Sequence, residues 1–120
     1  RLYGMSLTPA TSVRAGIPGH PVTYTLTVQN IGEMKDIFAV TLGDHHWHTT
    51  ILTDTIGPLA ADVTAPLQIY VWVPPTATLG TTDTITVTVT SQHAPLWAKS
   101  TLTTQAGLNK IYLPLVLCQR

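Results

Sequence analysis

The chain has 120 residues, 44% of them hydrophobic and only 10% charged, and its six basic and six acidic side chains cancel. That is enough sequence for one domain and short of two. It holds no basic stripe for nucleic acid or anionic lipid, and no apolar run near the ~20 residues of a membrane-spanning helix. Threonine takes over the wetting role of charge, at roughly a fifth of the chain where Leu, Ala and Gly usually lead. Its β-branch and hydroxyl suit the solvent face of a strand.

Taken in order, the first predicted strand is Leu2 to Thr8. The second is long: Val22, Tyr24, Leu26 and Val28 alternate with Thr23, Thr25, Thr27 and Gln29 up to a turn at Asn30 to Gly32. Further strands are predicted at Asp36 to Leu42, Trp47 to Leu52 and Leu67 to Val73. The cleanest period of two follows in Thr82 to Thr90, where Ile85, Val87 and Val89 oppose Thr84, Thr86, Thr88 and Thr90. Trp97 to Gln105 closes the set. Turn residues separate these stretches, and prolines 9, 18, 21, 66, 74, 75 and 95 are expected where strands begin or end. No window carries a helical stripe, and the Thr and Val content penalises helix. About seven short strands in one small all-β domain predict an antiparallel sandwich of immunoglobulin-like type.

After Ala106-Gly107 the pattern changes, so the chain divides into a sandwich over 1–108 and an apolar strand or tail over 109–120. Lys110 to Leu117 (KIYLPLVL) reads as a strand buried on both faces that packs on its own domain; the alternative is a tail that docks elsewhere. Cys118 is the single cysteine, which rules out an internal disulfide. The start at Arg1 predicts a piece of a longer exported precursor.

The stretch from Ala15 to Gly32, with its glycine turn at Gly19, the Val22 to Val28 alternation and Asn30-Ile31-Gly32, resembles bacterial immunoglobulin-like accessory modules. These include the NPCBM-associated type that accompanies carbohydrate-binding domains in α-galactosidases, and related adhesion-type repeats. Asp36-Ile37-Phe38, a core Trp47, Val73-Pro74-Pro75, Leu79-Gly80-Thr81 and the Thr-rich strand to Ser91 extend the likeness over most of Gly16 to Ser91. The terminal IYLPLVL is similar to the ending of secreted proteins of filamentous green non-sulfur bacteria, from which it departs in closing Cys118-Gln119-Arg120. The resemblance implies a scaffold at the C-terminus of a secreted or cell-surface protein, with neighbouring domains of that protein as its partners and any catalytic part upstream.

The side chains offer three kinds of chemistry, each with a plainer alternative. Asp44, His45, His46 and His48, completed by a distant residue such as His93, offer zinc-type ligands; a solvated, His-rich loop that binds at most adventitious zinc is the simpler reading, and no cofactor is implied. Tyr70, Trp72 and Trp97 could stack on a glycan or dock a cell-surface protein, whereas Trp47, Tyr24 and Tyr112 complete the aromatic set. Leu67, Ile69, Val71 and Val73 share the face opposite Tyr70 and Trp72, so the aromatic face is either a second core layer or an exposed patch. Glu33, Asp36, Asp44, Asp54, Asp62 and Asp83 fall at turns or strand ends rather than as a hydrolytic pair. Ser6, Ser12, Ser91 and Ser100 lack a nucleophile elbow or triad context. No catalytic residue is assigned, and the chain is not expected to be an enzyme.

Overall fold

The period-two alternation decides the architecture. In the computed structural model, which describes residues 2–107, the strands are β1 (Met5–Thr8), β2 (Thr11–Gly16), β3 (Pro21–Asn30), β4 (Asp36–Leu42), β5 (Thr49–Ile51), β6 (Thr55–Leu59), β7 (Thr64–Trp72), β8 (Thr82–Ser91) and β9 (Trp97–Ala106). One sheet runs β1-β3-β7-β5 and the other β2-β9-β8-β4-β6. Among the described residues there is no helix, hence none long and apolar enough to cross a membrane. The segment 110–117 and Cys118 lie outside the described residues.

The inward positions are those the alternation singles out. Val22, Tyr24, Leu26 and Val28 of β3 and Leu67, Ile69 and Val71 of β7 face Phe38 and Val40 of β4, Ile85, Val87 and Val89 of β8, and Leu102 of β9. Each fully buried aliphatic side chain contributes about 1.5–3 kcal/mol, and the threonines between them fall on the two outer faces. Asn30 ends β3 from a buried position: its Nδ2 donates to Met34 O at 2.9 Å and Leu59 O at 2.8 Å, and its Oδ1 accepts from Gly32 N at 2.9 Å. Gly32 is required by a close approach. A Cβ there would stand 2.6 Å from Gly4 N and from Tyr3 Cα, because the N-terminal segment is bound across this turn through Ile31 N to Gly4 O and Glu33 N to Leu2 O.

Seven strands stand where the sequence predicts them, with shifted ends: β1 starts at Met5 rather than Leu2, β5 covers only Thr49–Ile51 of the expected Trp47 to Leu52, and β7 begins at Thr64 rather than Leu67. Two strands are additional. β2 pairs with β9 in parallel, from Thr11↔Thr101 to Gly16↔Ala106, so the sandwich is not antiparallel throughout. This strand has no apolar alternation, since Val13 is exposed and Gly16 is its one fully buried residue. β6 is an edge strand that contains Gly57 and Pro58. Pro66 corrects the expectation that it ends a strand: it lies inside β7, beyond the reach of β5, whose partners are Ile69 to Val71. A proline is tolerated where one flank of a strand is open.

The chain crosses between sheets at Pro9 and Ala10. Ser100 Oγ donates to Pro9 O at 2.7 Å, and Thr101 N donates to Ala10 O at 2.9 Å. The registers define two ends. Asn30, Asp36, Ser91 and Trp97 gather at one, and Gly16, Pro21, Trp72, Asp83 and Ala106 at the other.

Candidate functional site

Strand parity sets the aromatic groups. With Leu67, Ile69 and Val71 facing the core, β7 turns Gln68, Tyr70 and Trp72 outward. Trp72 is 43% exposed and Tyr70 half-buried. The Tyr70 hydroxyl donates to Gln68 Oε1 at 3.2 Å. In the register, Thr23 of β3 and Thr50 of β5 flank Tyr70, Thr25 stands opposite Gln68, and Pro21 opposite Trp72. Trp72 N donates to His48 O at 2.8 Å. The structure thus brings Tyr70 and Trp72 together and leaves Trp97 apart, at the other end of the other sheet. Trp97 is 63% exposed, with Lys99 Nζ 5.0 Å from its ring centroid.

The other aromatics serve the framework. Trp47 is half-buried against the core, as expected for it. Tyr24 is inside, and its hydroxyl donates to Thr103 O at 2.7 Å and shares a 2.8 Å bond with Thr104 Oγ1, joining the two sheets. Burial pushes the Tyr24 phenol above its ordinary range, against the opposing pull of Thr104 and Arg14. Tyr112 lies outside the described residues.

The histidine cluster is a loop held from below by a carboxylate. Residues 44 to 48 precede β5 instead of lying within it, so His46 and His48 do not stand on one strand. Asp83, buried near the start of β8, accepts His46 N through both oxygens at 3.1 Å and Trp47 N at 2.9 Å, with His46 Nδ1 at 3.3 Å. His45 Nδ1 lies 2.9 Å from Gly43 O. Asp44, His45, His46 and His48 are all exposed, and among the described residues no three His, Cys, Asp or Glu side chains are grouped to hold a metal ion. Asp83→Ala should free this loop, because it removes a charged acceptor from two backbone amides, and such bonds are worth about 1.5–3 kcal/mol each. Amide hydrogen exchange at His46 and Trp47 is expected to accelerate on the order of tenfold or more, with the core strands unchanged.

Asp36, Ser91 and His93 form the other polar cluster. The Asp36 side chain is fully buried. It accepts Ser91 Oγ–H at 2.5 Å through Oδ2, and His93 Nδ1 at 2.7 Å and Ile37 N at 2.8 Å through Oδ1. Ser91 Oγ in turn accepts from the backbone N–H of His93 and of Ala94, both at 3.1 Å. The His93 ring stacks on Tyr3 at 5.9 Å. Burial alone would raise the Asp36 pKa, but bonds from Ser91, His93 and Ile37 and the attraction of His93 outweigh it and hold the carboxyl below its ordinary value. These are the residue types of a hydrolytic triad in the wrong order. The acid stands between serine and histidine, so no imidazole is placed to take the serine proton.

The sequence reading missed this cluster and the neighbours of Tyr70. Ser91 and Asp36 are 55 positions apart, and Thr23, Gln68 and Thr50 come together only through register. The signal that was present is the parity of β7.

No protein-family model and no curated protein sequence matches the chain. Solved structures do. The ASH/PapD-like domain 7 of human CEP192 superposes with a TM-score of 0.68 at 11% identity, over 88% of this chain and 87% of that one. The fold is an immunoglobulin-like β-sandwich. The periplasmic chaperone SfaE follows with a TM-score of 0.65 at 11% identity, over 86% of this chain and 58% of the chaperone. A family 123 glycoside hydrolase from Clostridium perfringens, described for glycolipid glycan hydrolysis, gives 0.62 at 9% identity, over 90% of this chain and 28% of the hydrolase. At such identities the likeness is one of fold.

Proposed function

We propose that this sandwich is a non-catalytic structural module, a spacer within a longer secreted or cell-surface protein, whose immediate partners are the neighbouring domains of that protein. The observation that carries the reading is where its buried polar groups are spent. Asp36 holds a β4 to β8 junction, Asp83 a loop, Asn30 a turn, Ser100 the crossover and Thr104 the Tyr24 hydroxyl. Among the described residues no buried side-chain nitrogen or oxygen lacks a partner. Groups consumed this way stabilise a framework and are not poised for a substrate. The neutral, threonine-rich surface supports an exterior location, and the Gly16 to Ser91 pattern supports an accessory module of the bacterial NPCBM-associated or adhesion-repeat kind. The test incubates the purified chain with chromogenic esters, phosphates and glycosides. Rates equal to the buffer blank are expected, for the protein and for Ser91→Ala alike. Turnover that Ser91→Ala or Asp36→Asn abolishes would overturn the proposal.

A further inference from the structure

The geometry points to a second role: the outer face of the β1-β3-β7-β5 sheet is a platform for a neutral glycan chain, with Trp72 and Tyr70 as its stacking surfaces and Gln68, Thr23 and Thr50 as its hydrogen-bonding groups. This goes beyond spacing and stands or falls independently of it.

The outward positions are Ser6 and Thr8 on β1, Pro21, Thr23, Thr25, Thr27 and Gln29 on β3, Thr50 on β5, and Thr64, Pro66, Gln68, Tyr70 and Trp72 on β7. None is Asp, Glu, Lys or Arg. Such a face matches an uncharged ligand, because a charged one would lose its hydration without gaining a counter-charge. Two rings on alternate residues of one strand stand about 6.5–7 Å apart, with the next strand's hydroxyls about 4.8 Å to the side. A pyranose offers a C–H face to a ring and hydroxyls at its rim. The bond from the Tyr70 hydroxyl to Gln68 fixes both side chains and takes up only the Gln68 oxygen, so the amide nitrogen takes no part in it.

Other occupants fit less well. Single-stranded nucleic acid also stacks on aromatic rows, but it needs a cationic groove beside them. A protein partner needs about 800 Å² with an apolar centre, whereas here two rings lie in a field of hydroxyls. Small ligands are sunk in concave pockets; an open sheet face suits a polymer lying across it.

The test is affinity electrophoresis of the 120-residue chain in gels containing hydroxyethylcellulose, arabinoxylan, galactomannan or soluble starch. At least one gel should retard the protein. Trp72→Thr should weaken that retardation on the order of tenfold, as loss of one ring does on other stacking platforms, while Trp97→Thr on the opposite sheet leaves it intact. Gln68→Ala, which leaves the core untouched because Gln68 lies on the outer face, provides a second variant, and thermal midpoints confirm that each protein is native. No retardation in any of the four gels, or retardation that Trp72→Thr and Gln68→Ala leave unchanged, would overturn the proposal.

Discussion

Asp36→Ala is expected to lower stability by about 3–5 kcal/mol, the cost of taking one member out of a buried, charge-assisted cluster, and to lower Tm by more than about 10 °C. Three donors lose their acceptor at once, the Ser91 hydroxyl, His93 Nδ1 and the Ile37 amide. With them goes the tie between the first residue of β4 and the turn after β8. The same carboxylate predicts a pH dependence of definite sign. Its folded pKa lies below the 3.8 at which the unfolded group titrates. The folded state therefore binds the proton more weakly, and the stabilisation is complete above 3.8 and is lost as pH falls through the folded value. Urea unfolding across the acid range checks this. Asp36→Asn should remove that part of the acid decline, and an unchanged decline would assign it to another carboxyl.

Phe38→Ala is expected to cost about 3–5 kcal/mol. Phe38 is the sole phenylalanine of the chain and is fully buried in the central cluster. Its strand is hydrogen-bonded on both sides, to Ser91 of β8 and Ile56 of β6, so the backbone has little freedom to collapse into the void. The cavity term then adds to the lost burial. Equilibrium denaturation should show a lower midpoint with an unchanged slope. A loss below about 1 kcal/mol would mean that the core relaxes around the gap.

What could be read in advance follows from where the information resides. β3 and β8 alternate over ten residues each, and an uninterrupted period of two leaves only the sheet partner undecided. β7 showed which residues share a face because Leu67, Ile69 and Val71 are aliphatic, but whether Tyr70 and Trp72 formed a second core layer or an exposed patch was decided only by the packing of the sheets. β2 was not legible because its ladder to β9 is carried by backbone and its exposed Val13 breaks the pattern. β6 hid behind Gly57 and Pro58. The histidine run showed ligand chemistry but not its support, because Asp83 is 37 positions from His46. Polar clusters join distant residues through topology, and no local pattern encodes that.

The crossover at Pro9 places the chain's first descending segment in both sheets, and β2 finishes beside β9 running in the same direction. Leu2 therefore lies at one end of the sandwich, against the Asn30 to Met34 turn, and Gly107 leaves from the opposite end, where its N–H is bonded to Gly16 O. A tension drawn through the domain from residue 2 to residue 107 pulls β2 and β9 in opposite directions along their shared ladder. Their hydrogen bonds are loaded side by side in shear and must yield together, whereas a hairpin pulled open surrenders its bonds one at a time. A fold loaded this way resists extension until the whole β2–β9 ladder gives.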